Sequence, residues 1–176
     1  MTDDRLAFRI LRFAVFCLLT SIFYLLPNAM SPTTAYAELI ATLKRIAVLE
    51  STGALLEWDE RTGMPPKAAA YRGEQLSLLA RMTHEQFTDP RIGELLAACE
   101  GTELTADPES DTAANIREIR RDYDRATRLP GSLVAELARM RTLGHHAWAA
   151  AKKASDYASF EPTLARIVEL VRQEAA

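Results

Sequence analysis

Cysteine is scarce in this sequence. Its 176 residues hold two, Cys17 and Cys99. Cys17 lies in an apolar leader, so the part beyond that leader has no disulfide framework. Cys99 ends an apolar helical pattern and reads as a small buried hydrophobe rather than a reactive thiol, because no neighbouring residue would lower its pKa. Histidine is nearly as rare, with three residues: His84, His145 and His146. His84-Glu85-Gln86-Phe87-Thr88 starts like H-E-x-x-H but ends on Thr88, a poor metal ligand, and Asp89-Pro90 breaks the helix there. His145 and His146 are neighbours, about 100° apart on a helix, and read as one surface and one packed histidine. No P-loop, G-x-S-x-G, G-x-G-x-x-G or metal-type cysteine pair occurs. No catalytic residue, metal ligand or cofactor is therefore expected within the chain.

A strong charge of one sign is missing as well. Net charge is −3, which excludes the concentrated positive face of a nucleic-acid binder. No stretch alternates apolar and polar residues for long enough to read as a strand. No apolar run reaches the ~20 residues that a membrane-spanning helix needs. The 48% hydrophobic and 26% charged content excludes a disordered chain.

Residues 1–29 form the apolar leader. They hold four of the six Phe and only five charges: Asp3, Asp4, Arg5, Arg9 and Arg12. The strongest part, residues 13–26, fits the apolar stretch of a secretory signal behind the three arginines, and Ala35-Tyr36-Ala37 has the small-x-small form of a cleavage site. The competing reading starts the protein at Met30 and treats residues 1–29 as a mis-extended start. Cytoplasmic localisation follows from the second reading. Export, or a membrane contact through residues 13–26, follows from the first.

Six helices are expected beyond the leader, giving an all-α fold of antiparallel helices with short loops. Ser31-Pro32 opens the first, which carries Tyr36, Leu39, Ile40, Leu43 and Ile46 and meets a bend or interruption at Gly53. Gly63 and Met64-Pro65-Pro66 end it. A second helix follows Pro66, and a third starts at Asp89-Pro90 with Ile92, Leu95, Leu96 and Cys99. Asp111 is the expected cap of the fourth, whose Arg117–Arg128 face reads as solvated mixed charge with i,i+4 pairs. The fifth follows Leu129-Pro130, and the sixth begins near Phe160-Glu161-Pro162. That sixth pattern reaches Ala176 with neither a Gly cap nor a Pro stop, which hints at truncation.

The distinctive stretch runs from Leu55 to Gln75. Trp58 can bury a large apolar face and direct its N–H at a partner. Asp59 and Thr62 can hydrogen-bond exposed backbone around the turn. Arg72 can reach back to Asp59 or to carbonyls of the turn. A stabilised helical corner is favoured over a ligand site.

This stretch resembles the N-terminal signature of the carboxypeptidase Taq family of metallocarboxypeptidases. The matching residues are Trp58, Asp59, Thr62, Met64 and Pro65, then Ala68–Ala70 and Arg72-Gly73-Glu74-Gln75. Further matches follow in order: His84-Glu85, Thr88-Asp89-Pro90, Gly93–Leu96, Ala114–Thr127, Leu129-Pro130, Trp148–Lys152 and Phe160–Leu164. The likeness extends over residues 31–176. It implies a partial domain from a larger helical fold, which as a whole is a homodimeric, zinc-type (divalent-metal) enzyme that removes C-terminal amino acids from peptides. It also implies an H-E-x-x-H helix that this chain lacks, so no family catalytic residue can be placed here. The leading expectation is therefore an N-terminal portion that is inactive alone, with helices exposing apolar faces. The alternatives are a non-enzymatic helical interaction module, exported or membrane-anchored, and a subunit complementing a separate catalytic chain.

Overall fold

A computed structural model describes residues 30–176. The leader and the membrane contact through residues 13–26 lie outside the described residues. Residues 32–176 form one compact unit. Among the described residues every regular element is helical.

Pro32, whose fixed φ suits a first turn, opens α1 (Pro32–Thr62). At 1.5 Å per residue this helix is about 46 Å long. It runs through Gly53 without a break. A side chain at Gly53 would meet open space. The helix ends where the Thr62 hydroxyl donates to the Trp58 carbonyl at 2.8 Å. Gly63 and Met64 then both donate their backbone N–H to the Asp59 carbonyl, at 2.9 and 3.0 Å. Pro65 is extended and leads into a short 3₁₀ turn, Pro66–Ala68.

Helix α2 (Ala69–Phe87) follows directly and closes on Thr88. The side chain of Asp89 accepts from the N–H of Arg91 at 2.8 Å and caps α3 (Pro90–Cys99). The cap of α4 (Asp111–Ala126) is Ser110, not Asp111. Ser110 has the extended backbone a cap requires, and its hydroxyl accepts from the Ala113 N–H at 3.3 Å. Asp111 lies one residue inside, as an acidic residue in the first turn.

Helix α5 (Gly131–Ala154) ends on Ser155 in the left-handed region, with φ 53°. Helix α6 (Tyr157–Ala175) starts ahead of the expected Phe160–Pro162 segment. Asp156 caps it by accepting from the Ser159 N–H at 3.2 Å, and Pro162 falls inside the helix. Pro162 is the sixth residue and removes one intrahelical donor, yet the Asp156 cap sets the start ahead of it.

Long-range contacts show antiparallel packing. Arg91 on α3 reaches Glu38 on α1, and Cys99 donates its thiol to the Pro32 carbonyl. Gly73 on α2 meets Arg139 and Leu143 on α5, while Gly131 meets His84 and Arg81. One buried group belongs to α1, α3 and α4, with Leu39, Ile92, Leu95, Leu96 and Ile116 almost fully enclosed. A second cluster joins α5 and α6 through Leu133, Met140 and Leu170, with Leu137, Leu143 and Ile167 against it. Gly144 lets those helices approach closely, because a Cβ there would lie 2.7 Å from Ile167 Cδ1.

Candidate functional site

The signature residues meet where α1 turns into α2. Arg72 lies at the start of α2 with only 11% of its side chain exposed. Its Nη2 donates to Asp59 Oδ2 at 2.6 Å, its Nη1 to the Leu56 carbonyl, and its Nε to Gln75 Oε1 at 3.0 Å. One guanidinium thus ties the last turn of α1 to the first of α2, and its planar fork suits three acceptors in different directions. Asp59 also receives the two backbone donors that close α1. Asp59, Thr62 and Arg72 therefore act on one corner, with half-buried Met64 and exposed, extended Pro65 forming the link.

Trp58 departs from the sequence expectation. Its side chain stands outward, with the residue 67% exposed, and Leu55 one turn earlier is equally exposed. The helical unit leaves this indole uncovered because the face of α1 turned toward α2 is the one carrying Leu56 and Asp59.

Beside the corner a groove of ≈ 690 Å³ opens between α1, α2 and α5. Glu57, Glu60 and Arg61 line it from α1, and Arg141, Thr142 and His145 from α5. Sequence reasoning missed Glu60, whose side chain is only 7% exposed. Its Oε2 accepts from the Thr142 hydroxyl at 3.1 Å. Its Oε1 lies 3.4 Å from His146 Nε2, a buried nitrogen that completes no hydrogen bond. Nothing local to Glu60 signals burial, since only the docking of α5 encloses it.

The other histidines are occupied or separated. His84 Nε2 donates to the Leu129 carbonyl at 2.9 Å, which requires the Nε2–H form, and His145 is exposed. Among the described residues no group of three or more His, Cys, Asp or Glu could hold a metal ion. These residues do not fit the divalent metal that the sequence resemblance implies.

Cys99 is fully buried, and burial, then the charge of Glu100, pushes its thiol pKa up. The expected solvated face of α4 is only partly so. Arg121 pairs with Glu118 at 2.7 Å on the surface, but Arg120 turns inward to bind Glu100, the residue that follows α3, at 2.7 and 3.1 Å. Arg91, hydrogen-bonded to Glu38, holds that carboxyl below its usual range.

This corner, set in antiparallel helices, can be compared with known proteins. Residues 38–176 match the carboxypeptidase Taq (M32) metallopeptidase family. The chain belongs to that family. Thermostable carboxypeptidase 1 of Thermus thermophilus is 41% identical over 146 residues, covering 83% of this chain and 29% of the relative. Carboxypeptidase 1 of Bacillus subtilis is 28% identical, over 75% of this chain and 26% of the relative. The crystal structure of BsuCP superposes with a TM-score of 0.73 at 27% identity, covering 80% of this chain and 28% of that one. Trypanosoma cruzi metallocarboxypeptidase 1 superposes at 0.60 and 28% identity, with the same coverage. This carboxypeptidase Taq chain thus spans less than a third of these relatives and corresponds to their N-terminal portion.

Proposed function

We propose that this chain supplies the N-terminal helical portion of a metal-dependent carboxypeptidase acting on peptides, and is inactive alone. The observation that carries the reading is the family match over residues 38–176, with the chain covering only 29% of the Thermus thermophilus relative. In this reading Trp58, Asp59, Thr62, Met64, Pro65 and Arg72 are structural signature residues rather than catalytic ones. Arg72 and Asp59 hold the α1–α2 corner at a fixed angle. Metal binding and water activation belong to polypeptide outside this segment.

The test has two arms. The purified chain, supplied with zinc or cobalt, is expected to release no C-terminal amino acid from a blocked peptide. Chelator-sensitive release would overturn the reading. A chimera of the Thermus thermophilus relative, with residues 38–176 of this chain in place of the matching stretch, is expected to hydrolyse the peptide. A folded chimera without activity would count against the reading.

A further inference from the structure

Helix α1 packs mainly on α2 and α3, and α5 packs mainly on α2 and α6. Among the described residues, the polar links between α1 and α5 converge on one group, the carboxylate of Glu60. Its side chain is 7% exposed. Among the described residues its one hydrogen-bond donor is Thr142, itself buried, at 3.1 Å on Oε2. A carboxylate so enclosed needs further donors or a cation to offset its lost hydration. His146 Nε2 lies 3.4 Å from the other oxygen, Oε1, and is itself buried without a hydrogen bond. A neutral ring brings no charge to Glu60, whichever nitrogen holds its proton; an imidazolium brings a charge and a donor on both nitrogens. The rest of the ring reaches solvent, with 30% of the side chain exposed, so it can exchange that proton with bulk water.

We infer that Glu60 and His146 form a proton-operated latch between α1 and α5, closed when the imidazole is cationic and loose when it is neutral. The other charged groups around His146 do not replace Glu60. From α1, Glu57 and Arg61 line the same groove but are exposed. From α2 the groove receives His84, whose Nε2 is committed to the Leu129 carbonyl. On α5 itself the His145 ring lies 5.7 Å away, edge to face, and Arg141 borders the groove; both are exposed, where water and salt weaken their repulsion. From α6, Arg166 reaches α5 at Glu136, about three turns before His146. Acidification through the ordinary imidazole range therefore adds an enclosed ion pair at the junction, and that stability is lost again as pH rises. The latch is independent of the proposed function.

The test compares the Tm of the intact chain at about pH 8 and about pH 5.5 with those of Glu60→Gln and His146→Gln. Glu60→Gln removes the charge and keeps an acceptor for Thr142, and His146→Gln removes the proton site and keeps a polar side chain. On acidification the intact chain is expected to gain about 2–4 °C relative to both variants. His84 and His145 titrate in all three proteins, so the difference in slope reports the latch. Equal slopes overturn the inference, even where a variant melts lower at both pH values, because that is a loss of packing alone. A gain that Glu60→Gln retains also overturns it, since the partner of His146 is then another group. Where neither variant folds, hydrogen exchange of the intact chain decides. Corrected for the intrinsic effect of pH, the amides around Glu60 and His146 are expected to gain at least about 5-fold protection at the lower pH relative to those of α3 and α4. No relative gain overturns the latch.

Discussion

At the scale of single residues, the most informative group is Arg72. Its guanidinium is almost enclosed, whereas Asp59 keeps 45% of its side chain in solvent. The two halves of the pair should therefore not be equivalent on mutation. Asp59→Ala strands a confined cation and is expected to cost about 2–3 kcal/mol, within the range for broken charged hydrogen bonds. Arg72→Met removes the cation, keeps the apolar stem and leaves a carboxylate that water can reach, for an expected cost of about 1 kcal/mol. Urea denaturation of both variants checks the order; a reversed order would mean that the guanidinium is not confined.

Cys99 gives a second residue-scale prediction. Its raised pKa favours the neutral thiol in the folded state, so the linked stability is present below the ordinary thiol range and is lost as pH rises through the folded value. At pH 8 iodoacetamide is expected to label Cys99 at least about 10-fold more slowly than in the urea-unfolded chain. Peptide mapping separates it from Cys17, and equal labelling rates would contradict the burial.

At the scale of elements, two glycines inside helices have opposite meanings. Gly53 on α1 faces open space, so its only effect there is the entropy of a flexible residue. Gly53→Ala is expected to add about 0.5–1 kcal/mol. Gly144 is where α5 and α6 touch, and Gly144→Leu must displace Ile167 and press on Thr163. Its expected cost is about 1–3 kcal/mol, the range for overpacking. Thermal melts of both variants test this, and stabilisation by Gly144→Leu would mean that the helices are not held in contact. Elements were legible because their signals are local: proline at helix starts, apolar residues three and four apart, and polar breaks between them. The errors arose where two local signals competed. Ser110 and Asp111 are both good caps, and the extended backbone at Ser110 decides between them. Pro162 looks like a helix start, yet Asp156 captures an earlier turn.

At the scale of the whole molecule, the apolar surface is divided unevenly. Core residues of α1, α3 and α4 are almost sealed, while Leu55, Trp58, Tyr71, Tyr157 and Val171 stand in solvent on α1, α2 and α6. At this scale the proposed function predicts that added zinc or chelator leaves the isolated chain without peptidase activity, read as release of amino acids from a blocked peptide.

The sequence by itself determined the all-α class, the number of α-helices among the described residues and the family, because periodicity, breakers and an ordered series of motifs are all written locally along the chain. It also made the Arg72–Asp59 contact foreseeable, since the two residues flank one short turn. Only the tertiary structure decided that Glu60 is buried against Thr142 and His146, that Arg120 turns inward to Glu100, and that Trp58 is left outside. Each depends on which helix lies alongside which, and packing between residues as distant as Glu60 and Thr142 leaves no local trace in the order of the amino acids.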